Sequence, residues 1–88
     1  MRVWVTKYAL SAGIQEIEAK EFADTPGMIE DTGARYHTFY HGEGRDWHMT
    51  REGAALRAEQ MRVAKIASLK KQIAKLEGLT FGEVANGK

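Results

Sequence analysis

His41, Glu43, Asp46 and His48 place two imidazoles and two carboxylates within eight residues, and His37 stands four residues before them. Hard and borderline ligands of this kind can converge on a divalent metal when the chain turns back on itself. The spacing follows no recognised ligand motif, and a single loop seldom completes a metal site without a further ligand from elsewhere. A carboxylate at Asp46 or Glu43 beside Arg45 is more simply part of a turn, or of a hydrogen-bond network at the entry to a helix. The expectation is therefore a structural loop, with no metal and no cofactor.

Other catalytic chemistry finds little support. His41-Gly42-Glu43 has the form that opens a zinc deaminase signature, but that chemistry needs two later thiolates and the chain has no cysteine. Ser11 and Ser68 are the only serines, and neither sits in a nucleophile elbow. The glycines around Glu43 lack the lysine and hydroxyl that a phosphate-binding loop requires. A general base at His37, His41 or His48 would leave a nuclease as the remaining catalytic reading, in a chain with little room for a cleft. The protein is expected to be non-enzymatic.

The elements that must position these residues follow from local pattern. Val3-Trp4-Val5-Thr6-Lys7-Tyr8-Ala9-Leu10 is rich in β-branched and aromatic residues and alternates, which marks a first strand. Ser11-Ala12-Gly13 reads as a three-residue hairpin loop, and residues 14 to 22 alternate again, so the two strands are expected to pair antiparallel. Thr25-Pro26-Gly27-Met28 carries proline and glycine where a type II turn wants them. A short extended piece at residues 28 to 30, a turn at Asp31-Thr32-Gly33 and a last strand over residues 35 to 41 complete a sheet of three or four strands. Gly42-Glu43-Gly44 ends it.

One helix is expected over about residues 50 to 78, with seven of the chain's thirteen basic residues on it. Thr50 is the N-cap, Glu52 suits the first turn, and Gly78 fits a left-handed C-cap. About 27 residues would measure roughly 40 Å, against roughly 27 Å for a strand of eight, so one end should overhang the sheet. The apolar side runs through Leu56, Val63, Ile66 and Ala67, then shifts to Ile66, Leu69, Ile73 and Leu76. That three-and-four spacing matches two heptads of a coiled coil and suggests a dimer seam in the C-terminal half of the helix. Packing against the chain's own Phe81 and sheet, or against a foreign helix, are the alternatives.

Charge divides the chain. Residues 1 to 44 carry four bases against seven acids, net −3, and residues 45 to 77 carry eight bases against four acids, net +4. Such asymmetry can steer a partner, or let the basic helix lie on an acidic sheet. Nucleic-acid contact through the helix is weakened by the wheel, on which Arg51, Arg57, Arg62, Lys70, Lys71 and Lys75 fall all around the axis rather than in one stripe. Alternation puts Trp4 and Tyr8 on one side of the first strand and Tyr36 and Tyr40 on one side of the last. If these sides coincide, a four-aromatic patch lies on the sheet as core or interface.

At 88 residues, 43% hydrophobic and 28% charged, the chain is one small domain with a modest core and no space for a second. The domain is expected to span about residues 1–81, with strands over 2–41 and a flexible tail over 82–88. With no cysteine to form a disulfide, dimerisation is one way to make up for the small core. The N-terminus enters a strand pattern with no basic-then-apolar leader, which suggests a soluble cytoplasmic protein.

Lys7-Tyr8-Ala9-Leu10 followed by Gly13-Ile14, the run from Tyr40 to His48, and the Lys/Ala/Ile/Leu helix behind them resemble small accessory proteins of tailed bacteriophages and prophages. The resemblance spans about residues 2 to 81 and transfers no functional residue. It implies a bacterial cytoplasmic setting and a role in host takeover or in blocking a host defence, including the anti-CRISPR type, by binding a host protein or complex. The expected architecture is α+β, an antiparallel sheet followed by one long helix, acting by stoichiometric occlusion of a partner. Candidate contacts are Trp4, Tyr8, Tyr36 and Tyr40, the loop residues Arg45, Asp46, Trp47 and His48, and Arg62, Lys70 and Lys71. The alternatives are a nucleic-acid-binding accessory protein and a homodimeric structural phage protein.

Overall fold

The computed structural model describes residues 1–82. The tail expected over 82–88 lies outside the described residues apart from Gly82. Seven elements follow in order: β1 (Arg2–Val5), α1 (Ala9–Ala12), β2 (Gln15–Glu21), β3 (Met28–Asp31), β4 (Phe39–His41), β5 (Trp47–His48) and α2 (Arg51–Glu77). The fold is α+β: one curled antiparallel sheet in the order β4-β3-β2-β1-β5, followed by the long helix.

The sheet has five strands rather than three or four, because Trp47 and His48 pair with Val5 and Trp4 along the free side of β1. Two other elements are shorter than their alternation suggests. β1 stops at Val5, where the Thr6 amide donates to the Asp46 carbonyl at 2.9 Å, and the chain then makes a helical turn at α1 before β2. Gly13 ends that turn with φ 77° instead of closing a tight hairpin. At the other end, Asp31 captures the following turn through its side chain, which accepts from the Gly33 amide at 2.9 Å. Residues 32 to 36 therefore leave the sheet, and β4 begins only at Phe39. The Pro26-Gly27 turn forms as its residues require: Met28 N–H donates to Thr25 O at 3.1 Å and Gly27 takes φ 85°.

Register assigns the two faces. Val3 faces Ile17, Val5 faces Trp47, and Ile29 faces Tyr40, so one face gathers Val3, Val5, Ile17, Ala19, Ile29, Tyr40 and Trp47. These form the core cluster, and the sheet supplies all of it by curling around itself. Trp47 from one edge strand and Tyr40 from the other belong to the same cluster, and the Trp47 indole N–H reaches the Gly27 carbonyl at 2.8 Å, pinning the curl. Burial of each large apolar side chain here contributes about 1.5–3 kcal/mol.

The opposite face carries Trp4, Glu16, Glu18, Lys20, Glu30, Phe39, His41 and His48. The first turns of α2 lie over the part of it formed by β1 and β5, with Ala54 fully buried. Thr50 caps the helix by accepting from the Gly53 amide at 3.0 Å. Gly78 closes it with φ −81° and ψ −8°, which is right-handed and not the left-handed cap that glycine suggested. The last turn is instead tightened by Leu79 N–H donating to Leu76 O at 3.2 Å. No helix among the described residues is long and apolar enough to cross a membrane.

Candidate interaction surface

The titratable loop does not converge on one point. His48 is buried on β5, where its Nε2 lies 2.9 Å from the Thr6 hydroxyl. That hydroxyl has one proton, and it donates to the Arg45 carbonyl at 3.0 Å, so the imidazole must be the donor to Thr6. Burial and the nearby Arg57 charge push the His48 pKa down, outweighing the upward pull of Glu43. His37 lies on the surface with Nδ1 2.6 Å from Glu30, and the Asp46 carboxylate accepts from the His41 amide at 3.3 Å. Among the described residues no group of three or more His, Cys, Asp or Glu side chains is placed to hold a metal ion. The loop is a closure for the sheet: Trp47 and His48 are buried and Asp46 is half-buried, while His41, Glu43 and Arg45 are exposed.

The four aromatics do not share a patch. Tyr40 points into the core, 6% exposed, on the face opposite Trp4. Trp4 is half-buried beside the first turn of α2, in a groove with Ile14, Glu16, Arg51 and Ala55. Tyr8 follows the end of β1 and Tyr36 lies in the turn before β4, each exposed with a neighbouring cation over its ring, Lys7 at 5.6 Å and Arg35 at 5.7 Å. Alternation could not group these residues, because Tyr8 and Tyr36 are not in strands. An open groove lined by Lys20, Glu30, Asp31, Thr32, Arg35, Tyr36 and His37 carries mixed charge.

What the structure does assemble is an arm. The residues of α2 that approach the body are Ala54, Arg57, Ala58 and Met61, at helical spacing. The same stripe continues as Lys65, Ser68 and Gln72, which offer no apolar surface to the sheet. Beyond Met61 every described residue is exposed, and the helix leaves the body. The molecule measures 62 × 30 × 22 Å, with a radius of gyration of 19.8 Å. A compact chain of this length would have about 12 Å.

The apolar stripe of the arm lies beside the line that the body-contacting stripe continues, roughly 80° round the helix from it. Ile66, Leu69, Ile73 and Leu76 are 38%, 43%, 53% and 66% exposed, with Leu56 and Val63 exposed before them and Leu79 and Phe81 after. Phe81 does not fold back to cover them. Of the basic residues singled out on the helix, Arg62 is tied to Glu59 through Nε at 2.9 Å from Oε1, a pairing that lowers the Glu59 pKa and raises that of Arg62. Lys70 and Lys71 project without an ion pair among the described residues. Lys65 was not singled out in the sequence, although it immediately precedes Ile66 and borders the stripe on the side opposite Lys70.

No protein-family model matches the chain, and none of the curated proteins or solved structures compared with it matches either.

Proposed function

We propose that this chain is a non-enzymatic binding protein whose projecting helix is the docking element. One observation carries this reading: four large aliphatic residues at heptad spacing, Ile66, Leu69, Ile73 and Leu76, stand uncovered on a helix that has left the body. An exposed apolar stripe of that length on a soluble domain costs solubility unless a partner covers it. The curled sheet supplies the anchor.

In the bacterial setting that the resemblance to phage accessory proteins implies, such an arm would act by stoichiometric occlusion of a host surface. The test is capture of partners from a lysate by the tagged chain and by Leu69→Asp/Ile73→Asp, with nuclease treatment throughout. The expected result is a stoichiometric protein retained by the wild type and lost by the variant. Capture of the same proteins at the same yield by both would remove the arm from the interaction.

A further inference from the structure

We propose that the seam is shaped for a helix of a different protein, one with aliphatic core positions flanked by carboxylates, and not for a second copy of this chain. This rests on the arm being the docking element and names what docks there.

The core positions come first. Spacing puts Ile66 and Ile73 at heptad position a and Leu69 and Leu76 at position d, the combination that favours two parallel strands. The preceding a and d positions are Glu59 and Arg62, already paired with one another. The apolar seam is therefore two heptads long, which is short for a coiled coil, and its flanking charges carry unusual weight in choosing the partner.

The flanks of the seam's first heptad are basic. The e and g positions beside the seam are Lys65, Lys70, Gln72 and Glu77. In a parallel self-pair Lys65 faces Lys70 of the second copy, twice over, and the remaining pair is the neutral Gln72 against Glu77. An antiparallel self-pair with Ile66 over Leu76 brings Lys70 against Lys70. Residues 62 to 77 hold five bases and one acid, net +4, so either arrangement lays two like-charged arms side by side within a Debye length of about 10 Å. No ion pair among the described residues neutralises Lys65, Lys70, Lys71 or Lys75. A partner helix with glutamate at its e and g positions meets Lys65 and Lys70 with opposite charge and converts the repulsion into attraction.

The test titrates the full chain with two synthetic helical peptides that share isoleucine at a and leucine at d, one with glutamate and one with lysine at every e and g. Sedimentation of the chain alone and titration with a mixed-sequence DNA duplex accompany it. The expected result is a monomeric chain that binds the glutamate peptide roughly tenfold or more tightly than the lysine peptide. In Lys65→Glu/Lys70→Glu that preference reverses.

Three results would overturn the proposal. Equal binding of the two peptides, or of neither, means that charge does not select the partner. A self-dimer abolished by Leu69→Asp makes a second copy the occupant. Tight, salt-sensitive DNA binding without a peptide preference makes the arm a phosphate contact. Equal peptide binding or a self-dimer leaves the arm as the docking element, whereas unchanged protein capture by Leu69→Asp/Ile73→Asp removes it.

Discussion

At the scale of residues, the most constrained polar contact joins Thr6 and His48 across the β1–β5 edge of the sheet. The imidazole donates through Nε2, and burial together with Arg57 keeps its pKa below the ordinary value of about 6.5. An unfolded chain therefore takes up a proton on this histidine at higher pH than the folded one. Stability is fully present above about pH 6.5 and falls as pH drops through that value toward the lower folded pKa. Thermal melts at a series of pH values should show this slope in the wild type and lose part of it in His48→Gln, whose amide can still donate to Thr6. Identical slopes in the two proteins between pH 7 and 5 would show that His48 is not the group responsible.

Trp47 offers a second test at this scale. Its indole N–H donates to the Gly27 carbonyl, which also accepts from the Gly42 amide at 2.9 Å. Trp47→Phe leaves that carbonyl one partner, so the loss is one hydrogen bond and some packing volume, about 1–2 kcal/mol. Chemical denaturation measures it, and a variant as stable as the wild type would mean that the indole does not pin the curl.

At the scale of elements, α2 is two structures in one helix. Its first turns are anchored, with Ala54 buried and Thr50 as cap, while the described residues after Met61 are all exposed. Substitutions should divide accordingly. Ala54→Leu forces extra volume against the sheet and should cost about 1–3 kcal/mol. Leu69→Asp should stay within about 0.5 kcal/mol of the wild type, since the side chain is already in water. Urea denaturation followed by helical circular dichroism separates the two, and a large loss in Leu69→Asp would show that the arm is packed in solution.

At the scale of the molecule, the projection itself is measurable. Small-angle scattering from a dilute solution should give a radius of gyration near 19.8 Å. A value near the roughly 12 Å of a compact chain would place the helix back on the sheet.

The sequence by itself determined the long helix, its cap and its heptad stripe, because these rest on periodicity and on residues within a turn of one another. It also determined the β1–β2 pairing and the Pro26-Gly27 turn. Which face of the sheet is core was decided only by tertiary structure: both faces of β1 carry apolar residues, and curling selects Val3 and Val5 while leaving Trp4 to the helix. The fifth strand was hidden because Trp47 and His48 are too few to show alternation, and they become a strand only when β1 lies beside them. The histidines looked like a cluster because they are near in sequence, but β5 takes His48 inward while His37 stays in the turn before β4. Separation of the arm from the body had a local cause, the polar continuation through Lys65, Ser68 and Gln72. Its consequence, an uncovered seam, emerged only when the short sheet ended and the helix did not.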